Sequence, residues 1–166
     1  MRGKKTGVAA GVFDPVSVAH VDIIARAAKI FDKIYVAPFE NSSKKTMFDI
    51  KQRLDMLILA CGDIDNVTVE EPGNGVLLAD YARSKGADFI IKGVRNIMDF
   101  EYELNMAEIN RKLGDGIDTL FLASKPEYLF ISSTFVREMI LYGKDISGYV
   151  PEKAAGYIKN LMSQNK

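Results

Sequence analysis

Gly7-Val8-Ala9-Ala10-Gly11-Val12-Phe13-Asp14-Pro15-Val16-Ser17-Val18-Ala19-His20 is the stretch that decides the fold. Gly7 to Phe13 is a short apolar run of the kind that forms a strand buried on both faces. Asp14 and Pro15 break it, and Ile24, Ala27, Ala28 and Phe31 then recur at helical spacing. A strand that turns directly into a helix puts the helix N-terminus at the strand's carboxyl end. Unpaired N–H groups and the helix dipole favour an anion there. His20, the only histidine in the chain, falls in that first turn and is placed to touch a phosphoryl group. The competing reading is a helix-start histidine without chemistry.

The pattern repeats along the chain. Lys33 to Pro38 reads as a second strand, and Glu40 to Thr46 as a polar loop containing Ser42-Ser43-Lys44-Lys45. Asp49-Ile50-Lys51-Gln52 has the form of a capping box, which starts a helix expected over Ile50 to Cys61. Val67 to Glu70 is a short third strand, Val76 to Lys85 a helix closed by Gly86, and Asp88 to Gly93 a fourth strand. A helix over Met98 to Leu113, a strand over Asp118 to Ala123, a helix capped by Ser132 or Ser133, and a last helix over about 151–163 with Pro151 in its first turn complete the chain. Strict alternation predicts a Rossmann-like, doubly wound α/β fold: a five-stranded parallel sheet with right-handed crossovers and helices on both faces. Ligands of such sheets bind at the carboxyl ends of the strands.

Composition narrows the options. The 166 residues suit one domain, 1–166, large enough for a real core. Lys+Arg and Asp+Glu are both 22, so no overall field draws in nucleic acid or an anionic membrane. One cysteine, Cys61, and one histidine exclude an intramolecular disulfide and make a structural zinc site untenable. Cys61 lies in an apolar helix and reads as inert core. No apolar signal-type segment follows the basic Met1 to Lys5, and the expected location is the cytoplasm, with no membrane partner.

Four clusters fall at the expected strand ends: the His20 loop, Ser43-Lys44-Lys45, Lys92-Gly93-Val94-Arg95, and Ile131-Ser132-Ser133-Thr134-Phe135-Val136-Arg137. Arg95 can grip a phosphate with two hydrogen bonds, and Gly93 between two cations would let a ligand approach the backbone. Hydroxyl residues at a helix start followed by Arg137 can cradle a polyphosphate. Alone, each is also a solvated loop, a strand-end turn or an ordinary cap. Together they point to an anionic ligand of the nucleotide type. Asp99, Glu101 and Glu103 do not form a metal cage, because only Asp99 and Glu103 share a helix face. The GxGxxG dinucleotide fingerprint is missing, and no serine is marked as a nucleophile.

These segments, with Met47-Phe48, Asp80-Tyr81-Ala82-Arg83 and Asp99-Phe100-Glu101-Tyr102-Glu103, resemble the bacterial phosphopantetheine adenylyltransferases, of the nucleotidyltransferase superfamily with the (H/T)xGH signature. The resemblance spans Gly7 to about Pro151. It implies transfer of the adenylyl group of ATP to 4′-phosphopantetheine, giving dephospho-CoA and pyrophosphate in coenzyme A synthesis. It further implies Mg²⁺ carried on the ATP phosphates, a homohexamer, and inhibition by CoA. By the same resemblance His20 and Lys44 are catalytic, and Val12, Lys44, Leu78 and Lys92 face phosphopantetheine. Val12, Phe13, His20, Gly93, Val94, Arg95, Glu103, Tyr128, Ser132, Ser133 and Thr134 face ATP. Arg137 would clamp a phosphate, and Asn110 receives no role.

The chain departs from the family pattern. Val12 stands where Thr or Ser is usual and cannot hydrogen-bond to the attacking phosphate. Ser17-Val18-Ala19-His20 replaces Thr-x-Gly-His, so Ala19 puts a methyl beside the nucleotide and is strained by about 1–2 kcal/mol if the position needs positive φ. Lys92 replaces an arginine and loses its bidentate fork. Tyr128 stands for a tryptophan. Val12 and Ala19 motivate an alternative, a non-catalytic homologue that binds nucleotide or CoA. A cytidylyltransferase is a third reading, and it fits Ser17 poorly where such enzymes carry a second histidine.

Overall fold

The computed structural model describes residues 3–41 and 45–164. The chain runs β1 (Thr6–Gly11), α1 (Val18–Ala28), β2 (Lys33–Pro38), α2 (Ile50–Cys61), β3 (Val67–Val69), α3 (Leu78–Ser84), β4 (Phe89–Val94), α4 (Ile97–Leu113), β5 (Asp118–Ala123), a 3₁₀ turn (Pro126–Tyr128), α5 (Ser133–Leu141) and α6 (Glu152–Gln164). The strands form one five-stranded parallel sheet in the order β3-β2-β1-β4-β5. This is the doubly wound α/β architecture expected from the alternation.

The period of two along each strand sorts side chains between two cores. Ala9, Ile34, Val36 and Ile91 point to the larger one, which α1, α2, α5 and α6 cover with Ile24, Met56, Leu57, Val136 and Ile158. Val8, Ala10, Ala37 and Ile90 point to the smaller one, covered by Tyr81 and Ala82 of α3 with Ile117. The sheet grows outward from β1 in both directions. Right-handed crossovers therefore place α1 and α2 on one face and α3 and α4 on the other. Among the described residues, no helix is long and apolar enough to cross a membrane.

Several boundaries differ from the sequence expectation for local reasons. β1 stops at Gly11 because Phe13 takes a left-handed backbone, φ 49°. α3 begins at Leu78, two residues late, with Leu77 at the cap position and no side-chain cap bond. Of the two candidate caps of α5, Ser132 is used: its Oγ accepts from the Phe135 N–H at 3.0 Å. Pro151 precedes α6, which runs to Gln164. Cys61 is buried as expected, and burial pushes its thiol up to about 12, which keeps it protonated.

Candidate active site

Strand order reverses between β1 and β4, and a crevice opens there at the strand carboxyl ends. A cleft of about 850 Å³ fills it. Gly11 to Asp14 come from the end of β1, Ala19 and His20 from α1, and Lys92, Gly93 and Arg95 from the end of β4. Asp99 and Glu103 come from α4, and Ser132 to Thr134 with Arg137 from α5. Lys45, Thr46 and Asn41 close the side next to β2.

His20 is set by the residue that caps its own helix. Ser17, fully buried, caps α1, and the Ser17 N–H donates to His20 Nδ1 at 3.0 Å. A backbone N–H can only donate, so Nδ1 must be the acceptor and carry no proton. Burial, with the nearby Arg95 charge, lowers the His20 pKa to about 4. The ring is thus neutral at pH 7 with its proton on Nε2, a hydrogen-bond donor presented to the cleft. Phe13 packs edge-on against the ring at 5.1 Å. Gly11 permits this: a Cβ there would meet the Phe13 ring at 3.3 Å.

Ala19 is not strained. It is the second residue of α1 with helical backbone, and the left-handed residue of this loop is Phe13. The condition for strain at Ala19, a positive φ, is therefore not met, although its methyl does form part of the cleft wall. Gly93 lines the cleft and has a packing constraint besides. A Cβ there would lie 2.8 Å from Ile23 Cγ1, so the bare backbone lets α1 approach β4.

Each cation at the β4 end is matched to a carboxylate of α4. Lys92 Nζ lies 3.3 Å from Glu103 Oε2 and donates to the Ala10 carbonyl at 3.1 Å. Arg95 Nε donates to Asp99 Oδ2 at 2.8 Å. On the opposite wall, Ser133 Oγ donates to the Pro15 carbonyl at 2.9 Å. Arg137 reaches the Asp14 carbonyl at 2.6 Å and Thr134 Oγ1 at 3.1 Å. Arg137 thus holds the β1 loop to α5 while lining the cleft, and Thr134, accepting from it, keeps its O–H to donate. The first amides of α5 have no acceptor within the helix and face the same space.

The structure brings together His20, Val12, Phe13, Lys92, Gly93, Arg95, Glu103, Ser132, Ser133 and Thr134. Lys44 lies outside the described residues, and its neighbour Lys45 lines the cleft. Val94, Leu78 and Tyr128 are not among the lining residues. Leu78 packs against the smaller core, while Val76 and Leu77 line a second groove of about 270 Å³ with Pro38, Phe39, Glu40, Glu71 and Pro72. Tyr128 stacks under Lys125, whose Nζ is 5.8 Å from the ring centroid, at the outer edge of the β5 loop.

Two buried charged residues escaped the sequence reading. Asp14, 1% exposed, accepts from the amides of Met47 and Phe48 at 2.8 and 2.9 Å. Arg53 of α2 is fully buried. The only sequence signal for Arg53 was its place four residues after Asp49 on the inward side of an amphipathic helix. No trio of His, Cys, Asp or Glu among the described residues has the geometry of a metal site.

Residues 8–139 match the family described as cytidylyltransferase-like. The chain belongs to that family. Among solved structures, a Vibrio parahaemolyticus protein assigned as a nicotinate-nucleotide adenylyltransferase superposes with a TM-score of 0.73 at 20% identity, over 95% of this chain and 93% of that one. The Plasmodium falciparum nicotinic acid mononucleotide adenylyltransferase complexed with NaAD gives 0.73 at 13% identity, over 96% of each chain. The same enzyme complexed with APC gives 0.73 at 13%, over 98% of each. At these identities the likeness is one of fold: this cytidylyltransferase-like chain shares the Rossmann-like nucleotidyltransferase architecture along nearly its whole length.

Proposed function

We propose that this chain transfers the adenylyl group of ATP to 4′-phosphopantetheine, releasing pyrophosphate and forming dephospho-CoA. An oxygen of the acceptor phosphate attacks the α-phosphorus in line; the new P–O bond forms as the bond to pyrophosphate breaks. No group on the protein need become covalently attached. The neutral His20 Nε2–H donates to the α-phosphate as charge moves during transfer. Lys45, Lys92 and Arg95, with the α5 N-terminus and the Thr134 hydroxyl, hold the remaining phosphate oxygens. Catalysis of this kind is positioning and charge stabilisation. Mg²⁺ on the triphosphate would neutralise part of its charge; Lys44 would join the acceptor phosphate.

The observation that carries the choice of acceptor is the second groove beside Phe39 and Glu40. Its wall is apolar at Pro38, Phe39, Pro72, Val76 and Leu77, it carries the carboxylates of Glu40 and Glu71, and among the described residues no lysine or arginine lines it. An uncharged amide-containing arm extending from a phosphate suits such a groove. Nicotinate mononucleotide is the second reading, because the solved structures above bear that activity in their names. Its ring carboxylate would face the carboxylate of Glu71 and that of Glu40, which already holds Arg53 at 2.7 Å, and this disfavours it. Homohexameric assembly and inhibition by CoA belong to the first reading.

The test is pyrophosphate release from purified protein with Mg²⁺, comparing ATP with CTP and 4′-phosphopantetheine with nicotinate mononucleotide. Release with ATP and 4′-phosphopantetheine alone is expected. Release only with nicotinate mononucleotide would move the assignment to the second reading. Tight binding of ATP or CoA with no release would make the chain a binding homologue, with Val12 the first residue to blame.

A further inference from the structure

We infer that Arg53, remote from the ligand, is a positioning residue that sets the two sides of the phosphate cleft in register. The inference rests on the phosphate-binding role proposed for the cleft, and it assigns Arg53 no contact with substrate. Arg53 is the one arginine or lysine among the described residues with no solvent exposure. Burying a guanidinium is costly unless its donors are satisfied. Here each nitrogen has a partner. Nε donates to the Phe48 carbonyl at 3.1 Å. Nη1 donates to the Val12 carbonyl at 2.8 Å and the Phe39 carbonyl at 3.1 Å. Nη2 donates to Glu40 Oε1 at 2.7 Å.

These partners have little to do with α2, and everything to do with the cleft. Val12 is the residue after β1 that faces the reacting phosphate. Phe39 and Glu40 follow β2, just before Asn41. Phe48 lies just after Lys45 and Thr46. One rigid planar fork therefore ties the β1 end to both ends of the segment that brings Lys45 to the cleft. Asp14 accepts from the Met47 and Phe48 amides and fastens the same segment to the β1 loop a second time. A hydrophobic side chain at position 53 would fill the core as well. What it would not supply is a set of fixed hydrogen bonds converging on three backbone carbonyls from separate stretches of chain.

The test is Arg53→Lys, which keeps the charge and most of the stem but cannot bridge all three carbonyls. The readouts are the affinity for inorganic pyrophosphate, by calorimetry at a temperature where each protein is fully folded, and the split between kcat and KM in the release assay. At least a tenfold weaker pyrophosphate affinity is expected, with kcat falling further than the KM for ATP rises. Arg83→Lys, on the surface beside Asp80 and Asp115, should leave both unchanged. An Arg53→Lys protein that melts lower yet binds pyrophosphate within twofold of wild type would make Arg53 a purely structural residue and overturn the inference. Should Arg53→Lys fail to fold, Glu40→Ala gives a second reading, because the Glu40 side chain is 72% exposed. Loss of a nearby negative charge alone would tighten pyrophosphate binding; loss of the clamp predicts two- to threefold weaker binding, and unchanged or tighter binding overturns the inference. Wild-type protein that does not bind pyrophosphate at all would remove the cleft reading and the inference with it. Wild-type turnover with an unaffected Arg53→Lys would remove the inference alone.

Discussion

The two faces of the sheet hold their share of the cleft in different ways. On the side of α1, α2, α5 and α6, His20, Asp14, Arg53 and Arg137 are fixed by partly buried hydrogen bonds at the edge of a large apolar core. On the side of α3 and α4, Lys92 and Arg95 are held by ion pairs to one helix, α4. That helix buries little of itself: Ile97 and Met98 are 83% and 81% exposed, and Leu104 and Leu113 are also exposed. One wall of the site is therefore rigid by packing. The other leans on a lightly anchored helix, with the bond from Lys92 to the Ala10 carbonyl tying it to the sheet.

The sharpest way to break this comparison is at His20. With His20→Ala, turnover should fall about 100- to 1,000-fold while ATP affinity stays near normal, because one preorganised donor to the transition state is lost. A near-normal rate would take the rigid wall out of the chemistry. Stability gives a second contrast. Leu57→Ala, in the large core, should cost about 2–5 kcal/mol in denaturant unfolding, and Leu113→Ala on α4 well under 1 kcal/mol. Equal losses would mean that the outer side of α4 is covered in the working protein.

Acid should also act on the rigid wall. His20 titrates at about 4 when folded and at about 6.5 when unfolded. The unfolded chain thus takes up a proton that the native state refuses, so stability is lost as pH falls from about 6.5 to about 4. The loss is about 3–4 kcal/mol in all, and none of it lies above that window. Unfolding titrations at pH 7.5, 5.5 and 4 should show a smaller loss in His20→Gln than in wild type. Equal losses would refute the buried neutral imidazole. The smallest effect is expected at Val12. Val12→Thr should raise kcat about tenfold by restoring a hydroxyl at the acceptor phosphate. A fall would show that the site has adapted to valine.

Most of the architecture was legible because periodicity carries it. The five strands and the helices lie where apolar spacing and caps put them, and α2 runs from Ile50 to Cys61 as its capping box implied. The cleft was legible where a residue sits at a strand end. Arg53 and Asp14 were not, since a charged residue in a helix or a turn reads as solvated. Only carbonyls and amides brought in from distant segments explain their burial. The pairing of Lys92 with Glu103 was hidden for a similar reason: it joins a strand end to a helix that folds back over it. That Gly93 also lets Ile23 of α1 pack close to β4 was equally hidden. A side chain's neighbours across the fold leave no periodic trace.

The bond from Ser133 to the Pro15 carbonyl spans 118 residues. During synthesis, the segment bearing His20 leaves the ribosome long before α5 exists. The half-built protein can have its first strand, its first helix and its histidine, and still lack the wall on which a triphosphate would rest. Nascent chains and fragments that stop short of α5 should therefore draw nothing from the cell's nucleotide pool.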